Sequence, residues 1–277
     1  MYKIGMSTCG GKSMEEEGFR AMRENGIDAI EISLRPEAYP ALDYKKVKKL
    51  ADQYGVDLWS YHLPFGPFSE IEPSVADPAV RKYTFEYLSG MIEKGADIGI
   101  DKFIIHPSGE PIAEEDRAER MKYSMEMMDK FAEFAHRQGA VMLVEDLPRT
   151  CLGRDSDDIL QLLSANDKLR VCFDTNHLLK EDPMVFLDRV GDKITSLHIS
   201  DYDFVDERHW IPGQGDMDWV AFVNKLEEIQ YKGVWMYEIS FYTPEPILGR
   251  QLAYADFVEN AKAIFARKNP AELYQKL

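Results

Sequence analysis

Hydrophobic and polar positions fall into two kinds of segment that alternate along the chain. Short apolar runs, YKIGMS from Tyr2, AIEISL from Ala29 and DLWSYH from Asp57, read as strands buried on both faces. Between them lie stretches with apolar residues three and four apart, which read as helices. Ser13 is the expected N-cap of the first, MEEEGFRAMREN, and Gly26 its end. The second runs from Leu42 to Tyr54, with Val47 and Leu50 inward, and Gly55 closes it. LPFGPFSEIEPSVADP follows as a long loop, in which Phe65 and Phe68 are candidates to line a pocket. Pro78 opens a helix through about Ala96, DKFIIHPSG is the fourth strand, and Ile112 to Gln138 is a long helix whose Met121, Met125 and Met128 read as core.

VMLVEDLP, VCFDTNH, ITSLHIS and VWMYEIS are strands five to eight. Helices near Ser156 to Ser164, Pro183 to Val190 and Asp218 to Ile229 separate them, and a last helix is expected from Pro246 to about Arg267. Strand then helix, eight times, predicts an α/β (β/α)8 TIM barrel occupying residues 1–277 as one domain. A doubly wound sheet also alternates, but no GxGxxG or GxxxxGK[ST] follows any strand.

Charge narrows the partners. The net charge of −16 disfavours a surface for nucleic acid or anionic membrane. The N-terminus lacks the apolar core of a signal peptide and no run approaches the roughly 20 apolar residues of a membrane span, so a cytoplasmic enzyme is expected. Cys9, Cys151 and Cys172 lack CxxC spacing and suggest neither a disulfide framework nor a cysteine zinc site.

The candidate chemistry lies at strand ends. His62, His106, Glu145, Asp174, His198 and Glu238 all fall at carboxyl ends, where barrel enzymes carry their sites. A lone strand-end acid is most often a cap or ion-pair partner. Burying three carboxylates together is costly without compensation, however, and a divalent cation supplies it. Glu145, Asp174, His198 and Glu238 form a mixed O/N set suited to one Mn²⁺, Co²⁺, Zn²⁺ or Mg²⁺ ion. His177, three residues past Asp174, is placed to meet a substrate. So are Arg208 and His209, ahead of the turn Ile211-Pro212-Gly213-Gln214-Gly215. Asp201 and Asp203 are open between function and capping, and Trp59 and Tyr61 between stacking on a ligand and packing.

A Glu ending strand five, DxxH at strand six, HxSD followed by PGxGxxDW at strand seven, and Glu ending strand eight resemble the xylose isomerase-like TIM barrel superfamily over essentially the whole chain. That superfamily includes sugar phosphate isomerases, ketose 3-epimerases and endonuclease IV. The resemblance to the epimerases implies a metal-dependent sugar isomerase or epimerase. Glu145 and Glu238 would be the acid/base pair acting through a metal-stabilised enediolate, and also ligands beside Asp174 and His198. His62, His106, His177, Arg208 and His209 would bind substrate. The partner would be a sugar or sugar-like molecule rather than nucleic acid or membrane, with a homo-oligomer possible. Two alternatives remain. One is an inosose dehydratase-like lyase. The other is an endonuclease IV-like phosphodiesterase, whose three-zinc site uses an Asp-x-His pair where this chain has Glu207 and His209, and against which stand the acids Glu70, Glu72, Asp77, Glu114, Glu115, Asp116 and Asp155 in the loops.

Overall fold

A computed structural model of the protein describes residues 2–241 and 250–274. Strands and helices alternate along them: β1 (Ile4–Ser7), α1 (Glu16–Glu24), β2 (Ala29–Ile32), α2 (Tyr44–Tyr54), β3 (Asp57–His62), α3 (Pro78–Asp97), β4 (Lys102–Ile105), α4 (Arg117–Arg137), β5 (Val141–Glu145), α5 (Ser156–Leu163), β6 (Arg170–Asp174), α6 (Pro183–Val190), β7 (Ile194–His198), α7 (Trp219–Glu228), β8 (Trp235–Tyr237) and α8 (Tyr254–Phe265). The strands are parallel, in the order β7-β6-β5-β4-β3-β2-β1-β8. The seam is closed just beyond β7, where Ile199 N–H donates to Met236 O at 2.7 Å and Glu238 N–H to Ile199 O at 3.2 Å. This is the (β/α)8 barrel the alternation predicts. No helix among the described residues is long and apolar enough to cross a membrane.

Aspartates start many of the helices. Asp43, Asp77, Asp155, Asp182 and Asp218 each accept a backbone N–H of the first turn, with Pro78 and Pro183 at the first helical position. Ser13 is not a helix cap. Its Oγ accepts the N–H of Glu15, the residue at the N-cap of α1. Gly18 of α1 packs so closely on Ser13 that a Cβ would come within 2.0 Å of its carbonyl oxygen. The expected start of the last helix, Pro246, lies outside the described residues. From Arg250 to Ala253 the chain is not helical, because Asp256 caps α8, accepting the Ala253 N–H at 2.7 Å and pairing with Arg250. Met121 and Met128 are buried in the core and Met125 half-buried against it.

Alternation along each strand sends every second side chain into the barrel. A register shift between β2 and β3 pairs Ile30 with Leu58 and Glu31 with Ser60, leaving Trp59 as an extra residue. Trp59 and Ser60 consequently both face inward. Trp59 does not reach the cleft: its Nε1 donates to Ser196 Oγ at 3.2 Å across the lower barrel. Tyr61 points outward, buried and stacked on Tyr44. Gly5 keeps the lower interior clear, since a Cβ there would lie 2.5 Å from Val234 Cγ1.

Candidate active site

The upper interior is titratable almost throughout. Glu31, Glu145, Asp174 and His198 are fully or almost fully buried, and Glu238 just past β8 is 13% exposed at its side chain. His198 stands at the centre. Its Nδ1 lies 2.8 Å from Glu145 Oε1, 3.3 Å from Glu238 Oε2 and 3.6 Å from Asp174 Oδ2. One ligand atom from each of these four residues falls within 4.8 Å of the others. Asp174 Oδ2 is buried without a hydrogen-bond partner, as is Oδ2 of Asp146, whose Oδ1 accepts the Asp174 N–H at 2.7 Å. A divalent cation fits this set: three carboxylates and one imidazole converge, and one of the oxygens is otherwise unsatisfied.

Two further sets flank the first. His62 Nε2 and His106 Nε2 lie 3.0 and 3.1 Å from Glu145 Oε2, so Glu145 belongs to both groups. His177, Glu207 and His209 form the other, with His177 Nε2 3.0 Å from Glu207 Oε1. The His177 ring is set by its Nδ1, which donates to Asp146 O at 2.7 Å in that tautomer. His209 has φ of 50° and lies 3.2 Å by Nδ1 from Glu238 O. Asn176 Oδ1 accepts the N–H of both Arg208 and His209, so the middle of the DTNH sequence turns the loop after β7 into place.

Burial opposes the charge on every carboxylate, and neighbours decide the outcome. For Glu145 the burial penalty is overcome by His198, His62 and His106, which hold it well below the ordinary carboxylate range. Asp174 is likewise held at about 2 by His177 and His198. Glu238 goes the other way: burial, then repulsion from Asp174 and Glu145, pushes it up to about 8 despite His198. Burial disfavours the charged form of His62, but Glu145 raises it to about 9, whereas for His106 burial prevails and lowers it.

Of these, His62, His106, Glu145 and Glu238 line a cleft of about 880 Å³ that also contains Phe65, Phe68, Lys12, Arg35 and Arg149. His62, His106, His177 and His209 all border it. Arg208 does not: its guanidinium pairs with Asp203 at 2.8 Å and lies over Trp210. The left-handed backbone at His209 turns that ring to the cleft while the residue before it points away. Asp201 is structural. Its carboxylate accepts N–H groups of Gly213 at 2.7 Å and Gly215 at 3.0 Å and the Trp219 indole at 2.9 Å, tying the turn shut. Gly215 is required there, since a Cβ would lie 2.2 Å from Tyr202 O.

Sequence reasoning missed Glu31, Lys12 and Arg149. Lys12 is buried, its Nζ donating to Ile239 O at 2.5 Å and Cys9 O at 2.9 Å beside the Glu238 strand end. Arg149 joins three loops by bonding Glu110, Asp206 and Glu207. Three of the acids counted as loop charge have other roles: Glu72 is buried against Arg120, and Asp77 and Asp155 cap helices.

The family model described as xylose isomerase-like TIM barrel matches residues 19–257. The chain belongs to that family. Among curated relatives, fructoselysine 3-epimerase of Shigella flexneri is 25% identical over 270 residues, covering 92% of this chain and 96% of the relative. A solved D-tagatose 3-epimerase-like protein superposes with a TM-score of 0.81 at 22% identity, over 95% of this chain and 97% of that one. D-psicose 3-epimerase, solved in the presence of D-fructose, gives 0.76 at 20% identity, over 95% and 97%. At such identities the two structures show the shared fold. The chain is an enzyme of this sugar epimerase and isomerase family.

Proposed function

We propose that the protein is a divalent-metal-dependent sugar epimerase or isomerase with Glu145 and Glu238 as its acid/base pair. The observation that carries this reading is the convergence of Glu145, Asp174, His198 and Glu238, of which Glu145 and Glu238 line the cleft, with Asp174 Oδ2 buried and unpartnered. These four residues would hold one cation, of Mn²⁺, Co²⁺, Zn²⁺ or Mg²⁺ type. Bound there, it supplies Lewis-acid polarisation of a substrate carbonyl and its neighbouring hydroxyl. Glu145, kept ionised by the imidazoles around it, takes the proton from the carbon beside the carbonyl. The electron pair of that C–H bond moves into the carbonyl and gives an enediolate. Glu238 takes the proton of the neighbouring hydroxyl as the enediolate forms and then delivers it to carbon, while Glu145 passes its own proton to the oxygen, so both carboxylates are restored. Return to the same carbon on the opposite face gives the epimer; return to the neighbouring carbon gives the isomer.

His62, His106, His177 and His209 border the space a sugar would fill and provide its hydrogen bonds. Phe65, stacked on His106 at 4.1 Å between ring centres, gives an apolar wall. The relation to fructoselysine 3-epimerase supports a ketose as the substrate class. Incubation with ketoses in D₂O tests the assignment. Deuterium should enter beside the carbonyl with the wild type and not with Glu145→Gln or Glu238→Gln; equal exchange in all three sinks the acid/base pair. An inosose dehydratase-like lyase would use the same residues and is separated by loss of water from the product.

One observation favours a second reading. The three neighbouring ligand sets, two of which share Glu145, match the arrangement expected of an endonuclease IV-like phosphodiesterase with several metals. Against it, Glu207 is already engaged by Arg149; despite burial, His177 first and then Arg149 hold its carboxyl below the ordinary range, at about 2. Three bound cations per chain together with chelator-sensitive cleavage of an abasic-site duplex would establish the nuclease.

A further inference from the structure

Glu31 has no solvent exposure and is the third of the 4 residues of β2, otherwise apolar. Its two carboxylate oxygens stand 3.0 and 3.1 Å from His198 Nε2, and Ser60 Oγ donates to Oε2 at 2.7 Å. A carboxylate buried without partners is strongly disfavoured, so its place here is set by these two groups. His198 is equally buried, and its other nitrogen, Nδ1, faces Glu145, Glu238 and Asp174. A neutral imidazole has one nitrogen that carries hydrogen and one that offers a lone pair. Which one faces the centre depends on what the other meets.

We infer that Glu31 is a positioning residue: by accepting the Nε2–H of His198 it fixes the ring so that Nδ1 is the atom presented to a cation. This rests on the metal-dependent reading above. The mirror arrangement, with Nε2 bare against Glu31, sets a lone pair against an anion and is disfavoured. Ser60 extends the chain by one link, since its hydroxyl holds the Glu31 oxygen that the ring also meets. The extra residue at Trp59 makes this possible, because it resets β3 so that Ser60 stands opposite Glu31 inside the barrel. A partner that orients a metal-bound histidine and raises its basicity typically contributes about 10- to 100-fold in metal affinity.

The test combines zinc affinity, by competition with a chelator, with ¹H–¹⁵N NMR of the imidazole groups in the full-length protein. Glu31→Ala should weaken zinc binding about 10- to 100-fold, and Glu31→Gln, which keeps an acceptor, by less. Ser60→Ala should cause the smallest loss. In the wild type, zinc should remove any Nδ1–H signal of His198 and leave a downfield, slowly exchanging Nε2–H, which shifts in Glu31→Gln and disappears in Glu31→Ala. Equal zinc affinity in folded wild type and Glu31→Gln and Glu31→Ala variants would overturn the inference, as would zinc bound at Nε2 with Nδ1 protonated. Should Glu31→Ala fail to fold, Glu31→Gln and the wild-type spectrum decide. If the wild type takes neither zinc nor Mn²⁺, Co²⁺ or Mg²⁺, the metal-dependent reading falls. The hold of Glu31 on His198 then stands or falls on whether the Nε2–H signal is present and responds to Glu31→Gln.

Discussion

Two layers of the barrel interior sit one pleat apart on the same strands and have opposite chemistry. In the lower layer Ile104, Leu143 and Cys172 form one buried apolar cluster, and Ala29 and Met236 belong to another, with Val234 a step further down. Two residues further along, about 7 Å up each strand, their places are taken by His106, Glu145, Asp174, Glu238 and Glu31. The backbone and the burial barely change across that step. The lower layer stabilises by removing apolar surface from water; the upper one is kept by a lattice of carboxylates and imidazoles that compensate one another. Stability and chemistry are thus separated vertically, and each layer can be damaged without the other.

The sharpest break is in the upper layer. Glu145→Gln or Glu238→Gln should lower turnover by about 10²- to 10⁴-fold, the range of general acid/base loss, while the melting temperature of Glu238→Gln stays level, because that carboxyl already carries a proton near neutral pH. Steady-state rates and thermal denaturation on the same preparation check this. The converse is Leu143→Ala in the lower layer. It should destabilise by about 2–5 kcal/mol in denaturant titration, with activity per folded molecule close to the wild type.

A cation should tie the layers together. Mn²⁺, Co²⁺ or Zn²⁺ at 100 times its Kd should stabilise by about 2.7 kcal/mol. Metal-free Glu238 is raised to about 8, so below that pH it carries a proton it must lose to become a ligand. Metal affinity should therefore weaken as pH falls from about 8 to 6, and metal uptake near neutral pH should release protons. Calorimetry in buffers of different ionisation enthalpy measures that release, and none at about pH 7 would contradict the assignment of Glu238. The smallest effects concern the two arginines of the rim. Arg149→Met should raise KM by about tenfold, equivalent to ~1.4 kcal/mol, because Glu207 and His177 lose their anchor. Arg208→Ala, outside the cleft, should change stability by less than about 0.5 kcal/mol and leave KM alone.

The barrel was legible because continuous apolar runs and regularly spaced helices repeat, and the strand ends that close those runs carry Glu145, Asp174, His198 and Glu238. Glu31 was not legible at the end of its strand. AIEISL reads as extending to Leu34, which places Glu31 in the middle, yet it is in phase with Ser60 and one residue from the true end of β2. A single acid in an otherwise apolar run was the available signal. Arg149 and Arg208 changed places for a reason local sequence does not carry. Arg149 and His209 have left-handed backbones, with φ of 53° and 50°, and these decide which side chains of their loops face inward.

The Asp201 carboxylate has a consequence for how this enzyme can diversify. Asp201 and Trp210 exchange backbone hydrogen bonds of 2.7 and 3.0 Å, and the same aspartate ties down Gly213, Gly215 and Trp219. Residues 202–209 are therefore a closed loop on a fixed base. Doubling the length of such a loop costs only about 0.6 kcal/mol in closure entropy. Insertions and deletions can accumulate there, redrawing the wall that bears Glu207 and His209, while the barrel below is inherited unchanged.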